Sequence, residues 1–348
     1  MSLSPLHAMA PGRSPLASSL PVAPARVVDA GLPRLGRYAG CAEVVDLSEL
    51  QAPWARSALW RRFRHKRWQY VGMGSGELFV GIAIVDLGWA MTAFVYVFDR
   101  LRRRLLADWS ADALPVWGGA VSNEPVRGMT ATFRGNGAQV RLGHADDDVL
   151  VVHAAVPGIN LQARLDMAGS PPFLLAVGPV EGGSVHTTHK SPGLPVSGWV
   201  AVEGERRALD GAVGCLDSSN GLLPRQTSWR WACAHDERIG FNLQAGYFGG
   251  HENALWLDGM LHPLGRAEFD FDPQNPLQEW RIHTDDGLLD LRFQPEGARQ
   301  ADRHLGLAAS RYVQPVGTFH GTVRASVHEP WRMVEHLVGV TEDHDSLW

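Results

Sequence analysis

Residues Leu78 to Phe98 read LFVGIAIVDLGWAMTAFVYVF, and Asp99 with Arg100, Arg102, Arg103 and Arg104 follows directly. An apolar run of this length with a basic flank has the outline of a membrane-spanning helix. Asp86 argues against that outline, because an ionised carboxylate at mid-bilayer is costly. The Asp86-Leu87-Gly88 break also divides the run into two segments of strand length. Phe79, Ile82, Ile84, Val85, Val95, Tyr96 and Val97 are β-formers. The run is therefore expected to be two buried antiparallel strands joined by a short turn.

The rest of the chain repeats this theme. Thr130–Arg134 and Ala138–Leu142 flank Gly135-Asn136-Gly137, and Trp280–Thr284 and Leu288–Phe293 flank Asp285-Asp286-Gly287; both are hairpin turns in which Asn, Asp and Gly accept positive φ. Val149–Ala155 and Ile159–Asp166 flank Pro157-Gly158. Further strands are expected at Phe173–Val177, Val185–His189, Val196–Val202, Trp229–Ala234, Ile239–Tyr247, Ala254–Leu257, Arg266–Phe271, Arg311–Gln314 and Gly317–Arg324. Many short strands without long helical periods mean an all-β protein, with enough strands for two barrels. One helix is expected, over 53–67. It gathers Arg56, Arg61, Arg62, Arg64 and Lys66 around Leu59 and Phe63. That cluster is either a solvated face or a contact for an acidic protein or an anionic lipid surface. The division expected is a flexible leader over 1–30, rich in Pro, Ser and Ala, one barrel over 31–204 and a second over 205–348.

Composition removes several function classes. A net charge of −5 over 348 residues does not suit a nucleic-acid binder, which carries a basic domain. Cys41, Cys215 and Cys233 are scattered, without a CxxC pair, and are read as neither a disulfide framework nor a thiolate metal site. A reducing, cytoplasmic setting fits them. Gly72-Met73-Gly74-Ser75-Gly76 has the wrong order for a nucleophile elbow and for a dinucleotide loop, and there is no P-loop or HExxH. His186 and His189 fall on opposite strand faces, and nothing in the spacing of His251, His262 and His283 requires them to converge. No metal and no cofactor are expected.

Four clusters carry chemistry: His189-Lys190, Asp217-Ser218-Ser219-Asn220, Gly240-Phe241-Asn242-Leu243, and Glu252-Asn253 followed by Asp258-Gly259 and His262. Trp229 and Trp231 share one face of their strand, where they can line an apolar cavity or fill a core. A polar Asn242 facing a barrel interior needs a partner, which Glu252 or Asn253 could supply. Alternatively Asp217, Asn220 and Asn253 simply shape turns.

Together with Trp68-Gln69-Tyr70, Ala83-Ile84-Val85-Asp86-Leu87-Gly88, Trp229-Arg230-Trp231-Ala232, Trp280, Gly339, Glu342 and Trp348, these motifs resemble a bacterial domain-of-unknown-function family, numbered 2804. The resemblance runs from about Gly31 to the end. It implies a distant likeness to carotenoid hydratases, tocopherol cyclase and fungal Diels-Alderase-like proteins, hence two tandem lipocalin-like (calycin) antiparallel β-barrels with ligand in or between them. It assigns no catalytic residue. The expected function is binding of an apolar small molecule such as a lipid or isoprenoid, with acid-catalysed hydration, cyclisation or isomerisation as the chemistry. Asp217 and Glu252 are the candidate acids, and His189, Lys190, Trp229, Trp231, Asn242, Asn253 and His262 the candidate ligand-binding residues. The alternatives are a non-catalytic carrier and a scaffold with solid barrels.

Overall fold

A computed structural model describes residues 18–305 and 308–348. The apolar run forms two strands, Leu78–Asp86 and Met91–Asp99, paired in antiparallel register from Leu78–Asp99 to Asp86–Met91. Gly88 turns the chain at φ 80° while Asp86 accepts from its N–H at 2.7 Å and faces Arg67 at 2.5 Å. No helix among the described residues is long and apolar enough to cross a membrane.

This hairpin lies in the middle of the molecule. Val80, Ile82, Ile84, Val95 and Val97 point into the core of a first curled sheet, with Leu142, Leu161 and Phe133. Phe79, Ala83, Tyr96 and Phe98 point the other way and pack on Trp231, Cys233, Val316 and Val340 of a second sheet. Strands buried on both faces lose the polar alternation of a solvated sheet, which is why the sequence reads as unbroken apolar residues. Gly81 fits this packing because a Cβ there would overlap the Tyr96 ring.

The first sheet has fifteen strands among the described residues. Its main path runs from Arg104–Ala113 through the hairpin to His65–Gly74 and Val213–Leu222, then through Leu194–Val202, Ile159–Asp166, Val149–Val156 and Ala138–Ala145 to Thr130–Gly135 and Gly119–Val121. It curls until Trp109 near one edge meets Phe133 near the other, rings edge to face at 5.9 Å. Val185–Lys190 pairs with Val213–Leu222 on a branch of this sheet.

The second sheet has nine described strands, from Met260–Pro263 through Ala254–Leu257, Ile239–Gly246 and Gln226–His235 to Arg332–Leu347, Ala308–Val323, Leu289–Leu305, Trp280–Thr284 and Ala267–Asp270. Its core gathers Phe241, Trp280, Phe293 and Phe319. Three of its strands are 16 or 17 residues long. Arg311–Gln314 and Gly317–Arg324, expected as separate strands, are one. Register shifts at Pro295/Gly297 and Phe319/Gly321 let the long ribbon bend. Its far end overhangs the first sheet, where Arg299 meets Asp108 at 2.8 Å and Arg303 meets Asp112 at 2.5 Å. The whole is an all-β, calycin-like pair of half-barrels.

Several details differ from the sequence reading. The helix spans only Ala58–Arg64, capped by Ser57. Lys66 and Arg67 already belong to the next strand. Lys66 is fully buried, donating to the carbonyls of Phe63 and Leu87 at 2.9 and 2.8 Å, so it does not belong to a surface patch. The chain passes from one sheet to the other at residues 223–225, whereas Gly204 sits in the turn between two strands of the first sheet. Residues 1–17 of the expected leader lie outside the described residues. Residues 18–30 are docked: Ser18 donates to the Leu261 carbonyl, and Val27 and Val28 are buried. Asp217 to Asn220 lie within the strand Val213–Leu222 and shape no turn.

Candidate functional site

The two sheets do not meet along their whole length. Where the long ribbon overhangs the first sheet, a cavity of about 210 Å³ remains between them. Its floor is the outer face of the central strands, with Trp68, Tyr70, Ala83, Val85 and Phe94. Its roof comes from the second sheet, with Trp229, Trp231, Tyr312, His344 and Trp348. Most of this wall is apolar or aromatic, with a few polar groups, which is the usual make-up of a small-molecule site.

The polar end is built by strand register. Lys190 and Asp217 are direct cross-strand partners, and the Lys190 Nζ lies 2.7 Å from the Asp217 carboxylate. The same Nζ lies 3.2 Å from Glu252, which comes from the turn after Ile239–Gly246 in the other sheet. Thr188 and Ser219 donate to the second oxygen of Asp217 at 3.3 and 3.0 Å. Lys190 and Glu252 are about 4% and 5% exposed, so this is a buried triad of two carboxyls on one ammonium. Burial pushes the Glu252 carboxyl up to about 7, and the Asp217 charge adds to that; Lys190 opposes both. Burial also works against the Lys190 ammonium, but its two carboxyl partners more than offset this and raise its pKa. Two acids sharing one cation leave one carboxyl ready to hold a proton near neutral pH.

Glu252 is held from both sides. Asn242 donates to the Glu252 carbonyl at 3.0 Å and accepts from the Trp231 indole N–H at 2.8 Å. Asn253 accepts from the Gln244 N–H at 2.7 Å and donates to the Gly265 carbonyl at 2.8 Å. These two asparagines therefore fix the turn and the Trp231 ring and do not line the cavity. Tyr70 packs edge-on to Trp231 at 5.6 Å, and the Lys190 Nζ lies 6.0 Å from the same ring.

Of the residues singled out from sequence, Lys190, Asp217, Trp229, Trp231 and Glu252 all line this one cavity. His189 does not. It faces away from Lys190 along the strand, its Nε2 accepting from the Ala42 N–H at 3.1 Å, and burial pushes its imidazole down to about 3. His262 pairs with Leu255 at the edge of the second sheet, also outside the cavity wall. A further polar chain centres on Glu342, a motif residue whose partners the sequence does not indicate. Glu342 accepts from the Trp229 indole at 2.9 Å and from Gln314 at 2.7 Å, Gln314 accepts from the Tyr96 hydroxyl, and His344 Nδ1 lies 3.2 Å from Glu342. Arg299 lies 4.2 Å over Phe94 and 5.1 Å from the centre of Tyr312. Glu342 and His344 alternate on one face of Arg332–Leu347; that alternation was the available signal, in a stretch not read as a strand.

Solved structures of other proteins share the fold. A protein assigned as AttH from Nitrosomonas europaea is 13% identical with a TM-score of 0.55, covering 92% of this chain and 99% of its own. Kievitone hydratase from Nectria haematococca is 9% identical with a TM-score of 0.52, covering 89% and 97%. CghA, solved with Sch210972, is 12% identical with a TM-score of 0.51, covering 81% and 88%. Among curated proteins no sequence match was found. Residues 42–348 match the model of a family described as a domain of unknown function (DUF2804), and the chain belongs to that family.

Proposed function

We propose that the chain binds a largely apolar small molecule in the cavity between its two sheets and acts on it as a proton donor. The observation that carries this reading is the buried Lys190–Asp217–Glu252 triad at the polar end of an aromatic-lined cavity. A carboxyl with a pKa of about 7 is half protonated near neutral pH, where a general acid is most effective. Glu252 gives its proton to an alkene carbon, and the neighbouring carbon becomes cationic. The ring faces of Trp229 and Trp231 stabilise that charge. In hydration, water adds to the cation and its extra proton returns to the Glu252 carboxylate. In cyclisation a second double bond attacks the cation, which forms a carbon–carbon bond and moves the charge to a further carbon; in cyclisation and isomerisation alike, loss of a proton to the Glu252 carboxylate then discharges the cation. Asp217 remains the counter-ion of Lys190 throughout. Sharing a fold with a hydratase supports the reading as an analogy of architecture.

Native mass spectrometry of the purified chain, followed by extraction and incubation of the released compound with fresh protein, tests this. A retained apolar compound converted by the wild type and left unchanged by Glu252→Gln is the expected result. A compound retained equally by both proteins and never converted identifies a carrier. No retained compound, with no binding of long-chain or isoprenoid probes, refutes the ligand site itself.

A further inference from the structure

Cys215 and Cys233, 18 positions apart in sequence and on strands of different sheets, face each other across the inter-sheet crevice. Their sulfurs are 3.5 Å apart. Cys233 and His235 share one face of Gln226–His235. One ligand atom from each of Cys215, Cys233 and His235 lies within 4.8 Å of the other two. His235 is only 9% exposed, and neither of its ring nitrogens has a hydrogen-bond partner among the described residues. A buried imidazole with both nitrogens unpaired calls for an explanation. A small void of about 20 Å³ is lined by all three residues together with Gly72, Gly74 and Gly214. A space of that size has room for about one water-sized species.

We propose that Cys215, Cys233 and His235 form a binding site for one zinc-type d¹⁰ metal ion, separate from the cavity of the triad. Two thiolates and one imidazole are a donor set such an ion favours, and the void offers space beside them. Spacing separates this from a disulfide. Tetrahedral thiolate ligation at about 2.3 Å per bond places the sulfurs about 3.8 Å apart. The observed separation is close to that, whereas a disulfide needs about 2.05 Å. Binding releases the two thiol protons to solvent and changes no oxidation state. Because Cys215 belongs to the first sheet and His235 to the second, the ion ties the two together.

The test uses the full chain, kept reduced, stripped with a chelator and titrated with zinc and, separately, with cobalt(II). One equivalent per chain is expected, with thiolate-to-cobalt charge-transfer absorption and a higher melting temperature in zinc. Cys215→Ser, at the half-buried position, and His235→Ala each weaken uptake at least about tenfold, since even outer-shell partners contribute that much. Cys41→Ser, outside the cluster, leaves uptake unchanged. Circular dichroism of each variant separates lost uptake from lost folding. No uptake by the reduced wild type, or uptake undiminished in Cys215→Ser, overturns the site.

Discussion

Glu252→Gln separates the titrating acid from its shape. The carboxyl has a pKa of about 7 in the folded chain against an ordinary value of 4.5. Between those two values the folded state holds a proton that the unfolded state has lost. Stability therefore falls as pH rises through this window, by about 1.4 kcal/mol per unit, or roughly 3 kcal/mol in all. Above about pH 7 both states are ionised at this site and the contribution is flat. Gln is an uncharged near-isostere of the protonated acid and carries no such slope. At pH 4.5 the variant should match the wild type to within about 1 kcal/mol, the scale of one altered hydrogen bond. At pH 8 it should be the more stable protein by roughly 3 kcal/mol, the size of the lost slope. Urea unfolding of both proteins at half-unit steps from pH 4.5 to 8 measures the difference directly. Parallel stability curves would show that Glu252 ionises freely in the fold, and the argument for a buried proton donor would fail.

Other perturbations read the same architecture. Lys190→Met leaves Asp217 and Glu252 facing each other without a cation; a loss of about 3–5 kcal/mol is expected at pH 7.5 and less at pH 5, by urea unfolding at the two pH values. Trp231→Phe keeps a ring but leaves the Asn242 oxygen unpaired, costing about 1–3 kcal/mol, whereas Trp231→Ala costs about 3–5 kcal/mol; calorimetry ranks them. Gly81→Ala forces a methyl into the Tyr96 ring and lowers the urea midpoint by an amount equivalent to about 1–3 kcal/mol, although Ala has the better strand propensity.

The sequence carried the short-range part of the fold well. Gly135-Asn136-Gly137 and Pro157-Gly158 mark their hairpins because turn chemistry is local: Asn136, Gly137 and Gly158 all adopt positive φ. The three long strands were harder to see. Arg299 and Arg303 lie four apart near the end of the ribbon, but their partners, Asp108 and Asp112, are each 191 positions away. No local pattern reports a contact of that span. The triad shows the same division. Lys190, Asp217 and Glu252 each stand in a polar cluster visible in the sequence, while their meeting depends on register between two strands and on the docking of two sheets. His189 adjoins Lys190 in sequence, but strand alternation sends it to the opposite face. Lys66 reads in sequence as one more surface cation, yet the helix ends at Arg64, two residues before it, and the next strand draws it inside.

The doubly buried hairpin has a consequence for biosynthesis. Leu78–Asp99 leaves the ribosome before any residue of the second sheet has been made, because that sheet starts only at Gln226. The first half-barrel can fold early, as N-terminal units generally do during translation. It then displays Phe79, Tyr96 and Phe98 as a naked aromatic strip until the C-terminal half arrives to cover them. A fragment ending at Leu222 would keep that strip exposed for good. Truncation inside the C-terminal half would therefore yield a chain that aggregates or recruits chaperones, and the two halves have to be inherited, expressed and engineered as one unit.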